Sequence, residues 1–443
     1  MKGKTSMIVK LGAGFFADAY DLFVIDIVLA VLIELNESDP TGIRLTTSSK
    51  SLVSGATSAG AVVGMLLFGF LGDHFGRISA VISTGSIVSI GSLISAFCVR
   101  SDSFNLIYQL SLYRFLLGIG IGGEYPLSAV LANEKACPTV RSRIVAGVFS
   151  MQGVGMLSSA LLAQILIALK VPLDLVWRIL LGFGAVPALV AVFLRLRMTE
   201  TTPYQESKEL HAHKSGKEKM SEMWRIVKNY KFILLGTAST WFLLDVTFYG
   251  TGQFKTSVSE QMFKEDGKEQ VSLENKVFFS LILSLMAIPG YLCAYLCIDK
   301  IGKWNLQVWG FVAMICCYLI MAIMALFKGA SAYLQLGMFG LSFFFTNFGP
   351  NTTTFIIPSE VFPTTIKATC HGISAAFGKA GAVLGASGFP PLQTQWRLSG
   401  VLFVCVGVAL LGLWCTLLWV PKDKDMAPIK QQLKTSHDIN ESI

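Results

Sequence analysis

The sequence predicts an all-α, polytopic membrane protein of about twelve transmembrane helices, arranged as two six-helix halves. Three observations predict it. Only 14% of the residues are charged while 53% are hydrophobic, whereas soluble domains carry about 25% charged residues. Apolar runs of roughly 20 residues, the length that crosses a bilayer as a helix, recur throughout the 443 residues. A polar, Lys-rich stretch near the middle divides those runs into two sets.

The first set covers about 9–33, 52–72, 80–99, 106–132, 144–169 and 174–196. The second covers about 230–254, 277–298, 305–327, 331–358, 369–390 and 398–420. Hydrocarbon offers backbone groups no water, so each run must satisfy them internally and is read as a helix. The first run follows a short basic segment, carries three aspartates and lacks a small-residue cleavage site. It reads as an uncleaved span rather than a signal peptide. The expected division is an N-terminal half 1–196, a linker 197–229, a C-terminal half 230–420 and a tail 421–443. The linker is too long and polar for a tight turn, which permits motion between the halves. The segment 255–276 mixes Lys with Glu and Asp and reads as an outer loop. Asn36-Glu37-Ser38 is a glycosylation sequon close to a membrane end.

The net charge of +8 sits mainly in loops and tails, which speaks for orientation in a membrane and against a nucleic-acid partner. Of the 36 Lys and Arg, 23 fall on the side of the termini and linker and 11 on the other; Arg114 and Lys379 lie inside spans. That bias places both termini in the cytoplasm, and a plasma membrane is the expected setting. The nine cysteines show no disulfide, zinc or cofactor spacing and read as small packing residues. No nucleophile–base set occurs in any loop, so an enzyme is not expected. The oligomeric state is not legible.

An internal repeat is visible. Glu134 is followed seven residues later by Arg141, and Glu360 seven later by Lys367. Nine residues before these acids stand Tyr125 and Asn351, and about eighteen after them stand Gln152 and Lys379. Asp73-x-x-Gly76-Arg77 is echoed by Asp299-x-x-Gly302-Lys303. Two pseudo-symmetric halves with a site near the midplane are the expected build of a secondary transporter.

Ionisable groups inside spans are costly and therefore point to function. Lys379 lies about ten residues from either end of its run, too deep to snorkel. It either closes a buried Lys–Asp pair or meets an anionic substrate, and the second reading is preferred. Trp241, Asp245 and Tyr249 recur at i, i+4 and i+8 and share one helix face, as the wall of a site would. Asp18 and Asp21 also share a face. Two carboxylates brought close in a low dielectric cannot both ionise cheaply, which suits a proton carrier; the alternative is a pair satisfied by Arg114 or backbone groups. Glu124, in Gly122-Gly123-Glu124-Tyr125-Pro126, is a further member of a proton relay. Asp26 points away from Asp21 and has no assigned role.

These motifs carry a family resemblance. Gly69-x-x-x-Asp73-x-x-Gly76-Arg77 resembles the loop between the second and third helices of the major facilitator superfamily. Four longer segments are more specific. They are Gly14-Phe-Phe-Ala-Asp18-Ala-Tyr-Asp21, Gly120-Ile-Gly-Gly-Glu124-Tyr125-Pro-Leu-Ser128, Asn347-Phe-Gly-Pro-Asn351-Thr-Thr-Thr-Phe355 and Cys370-His-Gly-Ile-Ser-Ala-Ala-Phe-Gly-Lys379-Ala-Gly381. Together, over nearly the whole chain, they are similar to the phosphate:proton symporters of fungi and plants. The resemblance implies a phosphate site of Tyr125, Gln152, Trp241, Asp245, Tyr249, Asn351 and Lys379. It links Asp18 and Asp21 to proton movement. Charged residues at the cytoplasmic helix ends, Asp73, Arg77, Glu134, Arg141, Glu360 and Lys367, are read as gating contacts. Four departures stand out: Glu124 replaces the family's Asp, Thr199 replaces a Pro, the central linker is short, and Pro421-Lys-Asp-Lys lacks the usual acid beside the proline.

The expected function is proton-coupled symport of inorganic phosphate by alternating access, with phosphate, protons and the bilayer as partners. A partly protonated phosphate donates a hydrogen bond to Asp245, which sulfate lacks the proton to do. A transporter of sugar or another organic solute is the first rival, and it leaves the Lys379 charge unpaired. A phosphate sensor with little flux is the second; a long signalling domain would favour it, and the tail after Trp419 is short.

Overall fold

A computed structural model describes residues 2–38, 47–99, 105–263, 271–327 and 331–426. Among them all regular structure is helical. The first set comprises α1 (Lys2–Ser38), α2 (Thr47–Phe75), α3 (Arg77–Ala96), α4 (Leu106–Lys135) and α5 (Arg141–Ala168). Its sixth span joins α6 (Leu173–Phe183) and α7 (Ala185–Arg195) through Gly184. Two short helices, α8 (Thr202–Leu210) and α9 (Gly216–Asn229), occupy the polar linker. The second set comprises α10 (Lys231–Gly250), α11 (Gly252–Phe263), α12 (Leu273–Ile301), α13 (Lys303–Leu326), α14 (Ala332–Phe348), α15 (Pro350–Val361) and α16 (Lys367–Trp419).

Nine helices among the described residues are long and apolar enough to cross a membrane. The three other expected spans fall on α1, which carries three aspartates, on α14–α15, interrupted at Gly349, and on the first part of α16. Arg397, at φ 59°, breaks the long α16 run into two helices. The segment expected as an outer loop at 255–276 is partly helical: α11 continues to Phe263 and α12 begins at Leu273. Ser272 supplies the reason for that start, its hydroxyl accepting the Asn275 N–H at 3.3 Å. The remainder of that loop, 264–270, and the tail beyond 426 lie outside the described residues. The sequon Asn36-Glu37-Ser38 forms the last turn of α1. In the linker, α9 opens with a capping box between Ser215 and Glu218. That contact holds the exposed Glu218 carboxyl below its ordinary range.

Burial shows which faces meet lipid. On α12, Leu285, Leu292 and Leu296 are each 53% exposed, while Ala287, Gly290, Tyr291 and Ala294 are buried. An exposed leucine stripe over such a length suits hydrocarbon and not water. Between helices, small residues permit close approach. A Cβ on Gly64 or Gly122 would run into the backbone carbonyl of Ile119 or Ala61, so α2 and α4 cross through glycines. The halves meet along α2 with α16 and α5 with α12. At the first seam a Cβ on Gly69 would lie 2.7 Å from the Ala368 carbonyl oxygen.

The repeated Asp-x-x-Gly-basic segments form matching turns. Gly76 links α2 to α3 at φ 111°, and Gly302 links α12 to α13 at φ 86°. Only glycine adopts such a φ without strain. Each turn is bound by an acid from beyond the last span of its half. Glu200 accepts the Ile78 N–H at 3.2 Å, and Asp423 accepts the Trp304 N–H at 3.3 Å. The second-half acid expected to be missing beside Pro421 is therefore supplied two residues later, by Asp423.

Candidate functional site

Between the halves lies a narrow cavity with room for little more than a water molecule. From the first half Tyr125 on α4 and Gln152 on α5 line it. From the second half Trp241, Asp245 and Tyr249 project from one face of α10, Asn351 from the start of α15 and Lys379 from α16. All seven residues named from the sequence thus share one cavity, together with Phe149 and Phe248. Gly349 and Pro350, which open α15, place Asn351 at the break of the tenth span, where irregular backbone is tolerated because it borders a cavity.

Lys379 is 4% exposed, and its Nζ donates to the Tyr249 hydroxyl at 3.1 Å. The same ammonium lies 5.3 Å from the Tyr125 ring centroid and 5.2 Å from that of Tyr249, in the range of a cation–π contact. Among the described residues it forms no ion pair within 4 Å, but Asp245 lines the same cavity close enough for the two charges to act on each other. One hydrogen bond uses one of its three protons. The others remain for a ligand.

An aromatic layer closes the cavity toward the linker face. Phe15 lies 4.8 Å from Tyr125 and 5.0 Å from Phe355, and Phe149 lies 4.7 Å from Phe355, centroid to centroid. His371 meets Trp241 edge-on at 5.7 Å, and its Nε2 donates to the Phe355 carbonyl at 2.9 Å. Beneath this layer charged residues tie the halves together. Asp73 accepts the backbone N–H groups of Ala368 and Thr369 at 3.2 and 2.7 Å. Arg77 bridges Asp73 at 3.1 Å and Glu134 at 3.3 Å, and donates to the Thr364 carbonyl at 2.8 Å. Lys367 lies 3.9 Å from Glu134, and Glu360 lies 3.2 Å from Lys303.

Arg141 is the exception among the expected gating contacts. It is half-buried and its Nε has no hydrogen-bond partner. The next two residues make the crossing instead: the Ser142 hydroxyl donates to Glu360 at 2.6 Å, and Arg143 pairs with Asp299 at 2.9 Å. A helix turns by about 100° per residue, so Arg141 and Arg143 point to different sides of α5, and among the described residues it is Arg143 that forms the ion pair across the halves.

The acids of α1 are also arranged differently from expectation. Asp18 and Asp21 lie beside different neighbours. Asp21 is fully buried, accepts from the Ser92 hydroxyl at 2.7 Å and lies 3.4 Å from Arg114, which also donates to the Asp21 carbonyl and to Thr57. Asp18 faces a second charged pair, in which Arg195 holds Glu124 from two sides. The Asp18 Oδ2 atom is buried without a hydrogen-bond partner. Glu124 also accepts from Ser128 and, at 3.2 Å, from Thr84. Its longer side chain thus has a defined partner set. Asp26 is exposed and feels the charge of Lys255 on α11, a second-half residue.

Sequence reasoning missed Arg195, Arg143 and Asp423, and named Asp299 and Lys303 only as the echo of a first-half motif. Arg195 stands in the last turn of the sixth span and is nevertheless fully buried. The available signal was Glu124, a mid-span acid that requires a cation.

The sequence pattern of the sugar (and other) transporter family matches residues 6–428. Inorganic phosphate transporter 1-2 of Oryza sativa subsp. japonica is 34% identical over 95% of this chain and 92% of its own length. Low affinity inorganic phosphate transporter 8 of Medicago truncatula is 35% identical over 86% of this chain and 81% of its own. Among solved structures, the major facilitator superfamily proton:xylose symporter XylE, bound to 6-bromo-6-deoxy-D-glucose, superimposes with a TM-score of 0.78. It covers 95% of this chain and 96% of its own at 18% identity, a likeness of fold. The chain is an integral membrane protein of the sugar (and other) transporter family, in the branch of the major facilitator superfamily that holds the plant inorganic phosphate transporters.

Proposed function

We propose that this protein is a proton-coupled symporter of inorganic phosphate, working by alternating access between halves 1–196 and 230–420. In this reading it lies in the plasma membrane with both termini, the linker 197–229 and the tail 421–443 in the cytoplasm. The carrying observation is Lys379: a deeply buried ammonium that makes no ion pair within 4 Å among the described residues, facing a cavity that Asp245 also lines. A neutral sugar leaves that charge uncompensated, which is costly in a buried site. A phosphate that still carries protons compensates the ammonium and donates to Asp245. The names of the plant relatives support the same substrate.

Proton coupling follows from energetics. Moving a monovalent anion into a negative-inside cell is opposed by about 2.3 kcal/mol per 100 mV. One co-transported proton cancels that opposition, and two or more let the potential drive uptake. Asp18, Asp21 and Glu124 are the buried acids of the first half able to take part, with Arg114 and Arg195 as fixed counter-charges. The test is uptake of radiolabelled phosphate into proteoliposomes with and without an imposed proton gradient. Accumulation that follows the gradient, inhibition by arsenate and indifference to glucose are expected. Equal inhibition by glucose defeats the phosphate reading in favour of an organic solute. Binding without flux turns it into a sensor.

A further inference from the structure

We infer that Asp26 on α1 and Lys255 on α11 are the two charges of an outer gate, which close on each other as the linker face opens. This rests on the alternating access read above and goes beyond it, giving a role to two residues outside the cavity wall. α1 starts beside the linker, where Arg195 donates to the Leu11 carbonyl at 3.2 Å. Asp26 stands eight residues past Asp18, about 12 Å farther along the helix, and so toward the other side of the cavity.

Val24, Ile25, Ile27 and Val28 around it are all buried, yet Asp26 itself is exposed. Its surroundings are protein on both sides rather than lipid. It feels the charges of Lys255 and Arg114, and the Tyr249 hydroxyl feels its charge in turn. Those neighbours come from α11, α4 and α10. Asp26 therefore opens into a recess between the halves, next to the cavity that Tyr249 lines.

Lys255 meets the recess from the second half. On α10, Trp241 packs against Phe355 of the linker-side layer, and Tyr249 follows two turns later in the cavity wall. Lys255 lies beyond both, in the first turn of α11. Its ammonium is 5.3 Å from the Phe343 ring centroid, a cation–π distance. Phe343 stacks at 5.0 Å on Phe248, which lines the cavity. An acid of the first half and a cation of the second thus flank the cavity on the side away from the linker.

The two charges act on each other without an ion pair within 4 Å between them. The linker face, by contrast, is shut by Arg143–Asp299, Lys367–Glu134 and the Ser142–Glu360 hydrogen bond. Opening that face breaks those contacts. The two states stay close in free energy only if comparable contacts form on the other side. Rocking the halves brings Asp26 toward Lys255, and their attraction grows as the separation falls and water leaves the recess.

The experiment has two arms, both on the full-length protein in proteoliposomes. In the first, Asp26→Cys and Lys255→Cys are combined, a protease site is placed in the linker 197–229, and the protein is oxidised. On a denaturing gel the halves should stay joined after linker cleavage, and reductant should release them. Either cysteine alone should leave them separate. In the second arm, Asp26→Lys or Lys255→Asp sets like charges against each other. Uptake of radiolabelled phosphate should fall at least about five-fold, the weight of a partly solvated ion pair, with the melting profile unchanged. Combining Asp26→Lys with Lys255→Asp restores opposite charges and should recover most of the rate, which side chains that merely pack would not do. If the paired cysteines never join the halves, or the exchanged protein transports no better than the single variants, the inference is overturned. A wild-type protein that takes up no phosphate defeats the phosphate reading instead, and the cross-link then still decides the gate.

Discussion

Arg195 closes on Glu124 across 71 positions of chain, both side chains sealed from solvent, and Asp18 sits beside the pair with one oxygen unpartnered. Gly14 makes room for this cluster, since a Cβ there would collide with both the guanidinium and the carboxylate. The acid of the fourth span is thus bound to the cation that ends the sixth, directly below the first-span aspartates.

The first prediction concerns that cation. Arg195→Gln leaves a buried carboxylate without its counter-charge, a loss of about 3–5 kcal/mol in comparable buried pairs. Thermal unfolding in detergent should show a clear fall in Tm. The double variant Arg195→Gln with Glu124→Gln should recover much of it, because no unpaired charge remains. A double variant no more stable than Arg195→Gln alone would show that the pair is not the source of the loss.

Lys379→Ala is expected to abolish phosphate binding rather than slow turnover. With the ammonium gone, the anion meets Asp245 with no opposing charge, and an effect of about 3–5 kcal/mol corresponds to two to three decades in affinity. Calorimetry on protein with an unchanged melting profile measures it. Near-normal affinity would make Lys379 a packing and hydrogen-bonding partner of Tyr249 alone.

Asp21→Asn mimics a permanently protonated acid while keeping an acceptor for the Ser92 hydroxyl. Phosphate exchange across the membrane needs no net proton movement and should survive. Accumulation driven by a proton gradient should be lost. A variant that concentrates phosphate as well as wild type removes Asp21 from the proton route and leaves it as the structural partner of Arg114.

The Arg143–Asp299 bridge joins the halves but is partly solvated, its two side chains 37% and 19% exposed. Exposed pairs contribute roughly 0–1 kcal/mol, so Arg143→Ala should change Tm little. Arg77 is fully buried among Asp73, Glu134 and the Thr364 carbonyl, and Arg77→Ala should be strongly destabilising. Each contact closes the linker face, so Arg143→Ala should also raise the accessibility of a cysteine placed at Phe355 to a thiol reagent from the linker side. Unchanged labelling would remove the bridge from the gate.

Much of the site was legible before any coordinates. Trp241, Asp245 and Tyr249 share a helix face by spacing alone, and the pairing of Tyr125 and Gln152 with Asn351 and Lys379 was visible in the repeat. The misplacements are of one kind. Arg141 is named by the repeat and Arg143 is not, because equal spacing in two halves locates a helical turn and not the side chain that crosses between them. Asp18 and Asp21 were joined because three residues on a helix bring them near, yet Asp21 pairs with Arg114 while Asp18 lies beside the Arg195–Glu124 pair.

By itself the sequence determined the all-α class, the two sets of apolar runs and the charges placed inside them. These are local or periodic properties: an apolar run must be helical in hydrocarbon wherever its neighbours lie, and an ionisable group within it is conspicuous wherever it points. Only the tertiary structure decided which charge meets which. Arg114 reaches Asp21 across 93 positions and Arg195 reaches Glu124 across 71. It also decided that Lys379 meets the Tyr249 hydroxyl and shares its cavity with Asp245. Those pairings depend on how helices cross and where glycine lets them approach, and neither is encoded in the spacing along any one helix.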